Sequence, residues 1–132
     1  MAPDYFRFTS MMQNLGELDG VRLLGRKTVE LMTMNHLPGG QDLTDLAQAG
    51  MFTETAYGGV GFGLGFSVMQ SPARAQILGS PGEFAWGGAA STAFWIDPVE
   101  DLTVIFMTQL MPSSSYPLRR ELRVLTYAAL LD

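Results

Sequence analysis

Residues 82–92, GEFAWGGAAST, carry an apolar run into a glycine pair and then into small residues. The first half reads as a buried strand. Gly87 and Gly88, however, give up side-chain packing where a strand is ordinarily strongest, so something is expected to approach that backbone closely.

The stretches on either side make a sheet of it. After it come STAFWID (91–97) and LTVIFMTQL (102–110), two strands joined by a short hairpin connection at residues 97–101. In the second, Val104, Ile105, Phe106 and Met107 are all apolar, the pattern of a strand covered on both faces. Before it, GFGLGFSVMQ (61–70) alternates Phe62, Leu64, Phe66 and Val68 with Gly61, Gly63, Gly65 and Ser67. That pattern reads as one strand with a bulky face and a nearly bare one, on which a helix can pack closely. Ser71-Pro72 and Ser80-Pro81-Gly82 supply turns between these strands.

Upstream the period changes from two to three and four. Asp4 can start a helix carrying Tyr5, Phe8, Met12 and Leu15 on one face, with Gly16 placed to end it. GELDGVRLL then turns at Asp19-Gly20. A second helix is expected from Arg26 to about Asn35, with Val29 and Met32 facing inward and Pro38-Gly39-Gly40 stopping it. Residues 38–59 show no sustained period and read as a long surface excursion with room for one helical turn. At the other end Pro117 opens a helix that places Leu118, Leu122, Leu125 and Ala129 on one face, leaving Arg119, Arg120 and Arg123 as a solvated face. The expectation is a single domain over residues 1–132: helical 1–37, loop 38–59, strands 60–110, and a C-terminal helix at 117–131. Its class is α+β, an antiparallel sheet of about four strands flanked by helices.

Composition narrows the function. The 132 residues are 47% hydrophobic, enough for a sizeable core. With 13 acidic against 8 basic residues and a net charge of -5, the chain lacks the basic surface that tracks phosphates, so neither nucleic acid nor an anionic membrane is expected as a partner. There is no cysteine and one histidine, His36, which excludes disulfides and thiolate metal sites; no metal and no cofactor is expected. The start MAPDYFRF has no basic segment followed by an apolar run, and no apolar stretch reaches the roughly 18 residues that span a bilayer. A cytoplasmic location is the expectation.

Most searches for self-contained chemistry fail. There is no Gly-x-Ser-x-Gly, no phosphate loop, and no serine is followed three residues later by lysine: Ser10 leads to Gln13, Ser67 to Gln70, Ser71 to Arg74 and Ser91 to Phe94. His36 reads as a polar residue at a helix end, the nine methionines as adaptable core filling, and the run at residues 113–115 as a loop.

The segments taken together resemble a known family. FGLGF, then GSPGEFAWGGAASTAFWIDPVEDLTVIFMTQL, then the YPLRRELR helix are similar, in order and spacing, to the C-terminal part of the serine beta-lactamase-like hydrolases related to class C beta-lactamases, and within them to the carboxylesterase branch. The upstream DYFRFTSMMQNLGELDGVRLLGRKTVELMTMNHLP resembles the helical stretch that precedes those strands. The resemblance implies the C-terminal portion of the beta-lactamase/transpeptidase-like fold. In that family a Ser-x-x-Lys supplies the nucleophile and its activating lysine, a Tyr-x-Asn lies across the cleft, and a Lys-Thr-Gly on an edge strand completes the wall. The esterase branch commonly carries Trp-Gly-Gly in the last place.

By that resemblance Trp86, Gly87 and Gly88 are substrate-binding, and the backbone N–H of Ala89 contributes to an oxyanion hole, where a donor aimed at a carbonyl oxygen stabilises its developing charge. Tryptophan in place of the lysine implies neutral esters more than beta-lactam acids. The departure is large: neither Ser-x-x-Lys nor Tyr-x-Asn occurs among these residues, and in the family both lie upstream of the matching stretch. The chain is expected to correspond to the last third of such a hydrolase, to act on a small-molecule ester or amide only together with the missing N-terminal part, and to be inactive alone. A sheet without its family neighbours is expected to present an unpaired edge and to favour a homo-oligomer. The alternative is a non-catalytic remnant serving as an oligomerising or small-ligand-binding domain.

Overall fold

The computed structural model describes residues 1–46 and 58–131. Within them a five-stranded antiparallel sheet runs in chain order: β3 (Val60–Phe62), β4 (Ser67–Met69), β5 (Phe84–Gly87), β6 (Ala93–Asp97) and β7 (Leu102–Phe106). Before it lie helix α1 (Ala2–Gln13), a small hairpin of β1 (Glu17–Leu18) and β2 (Val21–Arg22), and helix α2 (Arg26–Met32). Two short helical turns, α3 (Leu43–Leu46) and α4 (Pro72–Ala75), flank β3 and β4, and α5 (Leu118–Ala128) closes the described chain. The class is the expected one, antiparallel sheet with flanking helices, with five strands in the main sheet.

The turn at Asp19-Gly20 forms as read. Both residues take positive φ, 52° and 77°, which is the two-residue hairpin geometry that matches strand twist. Helix α1 begins two residues before Asp4, with Pro3 in its first turn, and ends ahead of Gly16. Helix α2 stops at Met32, short of Asn35. The described start of the expected excursion holds two helical turns rather than one, a 3-10 turn at Pro38–Gly40 and then α3; residues 47–57 lie outside the described residues.

Three expectations need correction. GFGLGF is not one strand but the hairpin joining β3 to β4: Gly63 N–H donates to Phe66 O at 2.7 Å, and Leu64, 50% exposed, sits on the turn. The alternation imitates a strand, but the glycines are there for close approach. A Cβ at Gly63 would lie 2.2 Å from Met32 O, where the end of α2 presses on the turn. Second, β7 is not covered on both faces. Every residue of it is only half-buried, whereas every residue of β6 is buried; among the described residues β7 pairs only with β6. Third, the inward face of α5 is not the leucine face; Leu125 is 70% exposed and Arg123 is the buried residue of that helix.

The main core lies on the sheet face under α1 and α2, where Met11, Met12 and Val29 meet Phe66, Val68, Phe84, Phe94 and Ile96. Strand alternation turns Glu83, Ala85, Trp95 and Asp97 to the opposite face, which α5 covers. A second cluster of Val60, Met69 and Ala75 packs with Leu43 and Ile77.

Asp42 anchors the entrance to β3. Its carboxylate is buried and accepts from Gly59 N–H (2.8 Å), Thr44 N–H (3.0 Å), the Thr44 hydroxyl and Arg74 Nη2 (2.6 Å). The Gly59 N–H, then the Thr44 donors and Arg74, hold its carboxyl below the ordinary aspartate value, against burial, which pulls the other way. A depressed folded-state pKa contributes stability at pH above the unfolded value of about 3.9, and that stability is lost as pH falls through the folded one. Asp42→Asn is expected to cost about 1–3 kcal/mol at pH 7. The gap from the native chain should narrow in urea unfolding at pH 3, and a gap equal at both pH values contradicts this.

Candidate functional site

β5 and β6 pair through Gly87↔Ala93, and the chain between them closes in a three-residue loop. Gly88 N–H donates to Thr92 O at 2.9 Å and Ser91 N–H to Gly88 O at 3.1 Å. Ser91 sits at φ 66°, the left-handed position that completes such a loop. It is wholly buried, and its hydroxyl donates to Leu110 O at 2.7 Å, tying the loop to the segment after β7. Ala89, the first loop residue, is exposed, and among the described residues its N–H has no hydrogen-bond acceptor.

The register of β4 with β5 ends at Ser67↔Ala85, so Trp86 and Gly87 run past the end of β4. The Trp86 ring meets Phe62 edge to face, centroids 5.0 Å apart, and stays 39% exposed. A groove beside it is lined by Tyr5, Trp86, Gly87, Gly88, Thr92 and Met107. The structure thus brings the four residues singled out by resemblance, Trp86, Gly87, Gly88 and Ala89, to one strand end and its loop, with an open groove alongside.

The space at the glycines is filled from within on the α5 side. A Cβ at Gly87 would lie 2.8 Å from Arg119 Cζ, Arg119 Nη2 and Thr92 O, and one at Gly88 would lie 2.8 Å from the Thr92 hydroxyl oxygen. Arg119 Nη2 donates to Gly88 O (2.6 Å) and Thr92 O (3.1 Å). The close approach that the glycine pair signals is therefore, at Gly87, the approach of a guanidinium.

Arg119 belongs to a stripe with Arg123 and Tyr127 at i, i+4 and i+8 on α5, and the expectation of a solvated arginine face fails for the first two. Arg123 forks onto Glu83, Nη1 to Oε2 at 2.6 Å and Nη2 to Oε1 at 2.5 Å, donates also to Leu78 O at 3.1 Å, and lies 4.5 Å above the Trp95 ring centre. Glu83 is 2% exposed and Arg123 7%. The paired fork and the aromatic face make an arginine tolerable there. Tyr127 Oη stands 2.7 Å from Asp97 Oδ2 and 2.9 Å from Glu83 Oε2, its one proton serving both. Burial, then the Glu83 charge and the bond to Asp97, push its phenol pKa well up, so the hydroxyl stays a donor. Small side chains at Ala85 and Gly87, on the same face as Glu83, leave room for the arginine stems.

Sequence reading missed Glu83, Asp97, Arg119, Arg123 and Tyr127. The available signal was a carboxylate at the head of one buried strand and another at the end of the next, opposite a four-residue repeat of Arg, Arg and Tyr on the last helix. Among the described residues no group of three or more His, Cys, Asp and Glu is arranged to hold a metal, and no helix is long and apolar enough to cross a membrane.

A family model described as Beta-lactamase matches residues 1–128. Two proteins of Mycobacterium tuberculosis, Uncharacterized protein MT1414 of strain CDC 1551 / Oshkosh and Protein Rv1367c of strain ATCC 25618 / H37Rv, are each 36% identical over 117 residues, or 86% of this chain and 28% of theirs. Among solved structures, EstCE1, described as a hydrolase with promiscuous acyltransferase activity, superposes at a TM-score of 0.72 and 23% identity, covering 96% of this chain and 29% of that one. The LovD9 mutant of simvastatin synthase from Aspergillus terreus superposes at 0.75 and 22% identity, covering 94% and 33%. The structural likenesses show the fold, and the chain spans about a third or less of the length of each of these proteins.

The buried pair yields a stability test. Arg123→Met alone leaves Glu83 buried without its cation and is expected to cost about 3–5 kcal/mol, whereas Arg123→Met with Glu83→Leu is expected to cost clearly less. Urea unfolding of the single and double variants measures both; a double variant as damaged as the sum of the singles contradicts the coupling.

Proposed function

The chain belongs to the beta-lactamase family, and from that premise we propose that it forms one wall of the acyl site of a serine hydrolase acting on esters. In this reading the acyl group lies along Trp86, Gly87 and Gly88, and the Ala89 N–H is one oxyanion donor. The nucleophilic serine and its activating lysine come from polypeptide outside these 132 residues. Attack of the serine hydroxyl on the ester carbonyl places negative charge on the carbonyl oxygen, collapse expels the alcohol, and water then releases the acid.

The observation that supports this most is the Ala89 N–H: exposed, without an acceptor among the described residues, and carried on a loop whose two closing carbonyls are both held. Trp86 offers an aromatic face and no charge, which suits an uncharged ester. The fold shared with a hydrolase described as having acyltransferase activity agrees with acyl chemistry. Pairing of the outer β7 edge with further polypeptide, from the same protein or a second copy, belongs to the same proposal.

Hydrolysis of a short-chain chromogenic ester tests it. The 132 residues alone are expected to match the buffer blank, and addition of an upstream segment carrying Ser-x-x-Lys to produce turnover. Ala89→Pro, which removes the N–H at a loop position where proline is well tolerated, should lower kcat about 100- to 1000-fold in the reconstituted enzyme. A rate from the chain alone that survives repurification, or no rate on reconstitution, refutes the reading.

A further inference from the structure

We propose that Arg119 is a positioning residue for the Ala89 amide, an inference that rests on the oxyanion role given above. Gly88 C=O and Ala89 N–H belong to one planar trans peptide unit and point in opposite directions across it. Whatever holds the Gly88 oxygen therefore aims the Ala89 hydrogen. Arg119 Nη2 holds that oxygen at 2.6 Å from the α5 side, which turns the Ala89 N–H away from α5.

The second hydrogen of the same nitrogen goes to Thr92 O at 3.1 Å. These are the two carbonyls that already close the loop, Gly88 O accepting from Ser91 N–H and Thr92 O from Gly88 N–H. One cation thus braces both sides of the loop's neck. It also withdraws electron density from the Gly88–Ala89 amide through its carbonyl, which strengthens the N–H as a donor. The absence of a Cβ at Gly87 is the condition for this, since one would lie 2.8 Å from the guanidinium carbon. Arg119 touches no reacting atom in this scheme and acts only through the peptide it holds.

Two variants and two readouts test it. In the reconstituted ester hydrolase Arg119→Met is expected to lower kcat roughly 10- to 100-fold with little change in KM, short of the loss on deleting the donor, and Arg119→Lys, which keeps a cation, to recover most of it. In the 132-residue chain, amide hydrogen exchange at Gly88 and Ser91 is expected to accelerate in Arg119→Met and stay near native in Arg119→Lys, while the amides of β6 remain protected. Unchanged exchange at Gly88 and Ser91 in Arg119→Met overturns the inference. So does a native kcat for Arg119→Met alongside a slowed Ala89→Pro, which leaves the oxyanion reading standing. A native rate for Ala89→Pro overturns both.

Discussion

The fork between Arg123 and Glu83 fixes where the last helix sits on the sheet. Both charges are almost wholly out of water, so their desolvation is offset only while the two planar groups face each other. Sliding α5 by one turn, about 5.4 Å, would separate them and strand two buried charges. The leucines of the same helix impose no such register, because an apolar side chain gains nearly as much from a neighbouring depression. The same register is held by Arg123 on Leu78 O, Arg119 on Gly88 O and Thr92 O, and Tyr127 on Asp97, but the ion pair is the contact whose loss would leave two buried charges unpaired.

The contacts that α5 makes at the glycine loop follow from that register. With Arg123 on Glu83, the residue one turn earlier, Arg119, arrives over Gly87 and reaches Gly88 O and Thr92 O, and the residue one turn later, Tyr127, arrives between Glu83 and Asp97. Strand alternation supplies the receiving side: Glu83, Ala85 and Gly87 share the α5 face, a carboxylate followed by two positions with little or no side chain. Phe84 packs instead into the core beneath α1 and α2. One sheet thus has a face that holds the main core under α1 and α2, and a face under α5 that carries the buried ion pair beside Trp95 and the smaller apolar cluster of Val60, Met69 and Ala75. The groove at Trp86 and the exposed Ala89 amide lie where β5 outruns β4.

Much of this was legible in the sequence, because local signals and the fold agreed. The Asp19-Gly20 turn and the connection at residues 97–101 stand where turn chemistry put them, and strands β5 to β7 form within the expected runs, though β6 starts at Ala93, β7 ends at Phe106 and α5 starts one residue after Pro117. The GFGLGF reading failed because alternation of bulky and bare residues is the signature both of a strand with one empty face and of a glycine turn pressed by a helix end; the deciding contact, Met32 O against Gly63, is between residues far apart in the chain. The α5 face failed for a related reason. Leu118, Leu122 and Leu125 and the Arg119, Arg123 and Tyr127 stripe have equally good helical spacing, and only the buried carboxylates opposite make the charged stripe the inward one. Family resemblance drew attention to Trp86, Gly87 and Gly88, but gave no sign that a guanidinium occupies the room at Gly87.

The central claim is that α5, through its arginines, presents the Ala89 amide to an acyl carbonyl. A crystal structure of the reconstituted enzyme with its serine phosphonylated tests this most directly, since the phosphoryl oxygen stands where the carbonyl oxygen of the tetrahedral intermediate would. The expected result is that oxygen about 2.7–3.1 Å from Ala89 N, with Arg119 still on Gly88 O. A phosphoryl oxygen held by other donors, with the Ala89 N–H turned to an acceptor within the chain, would contradict it.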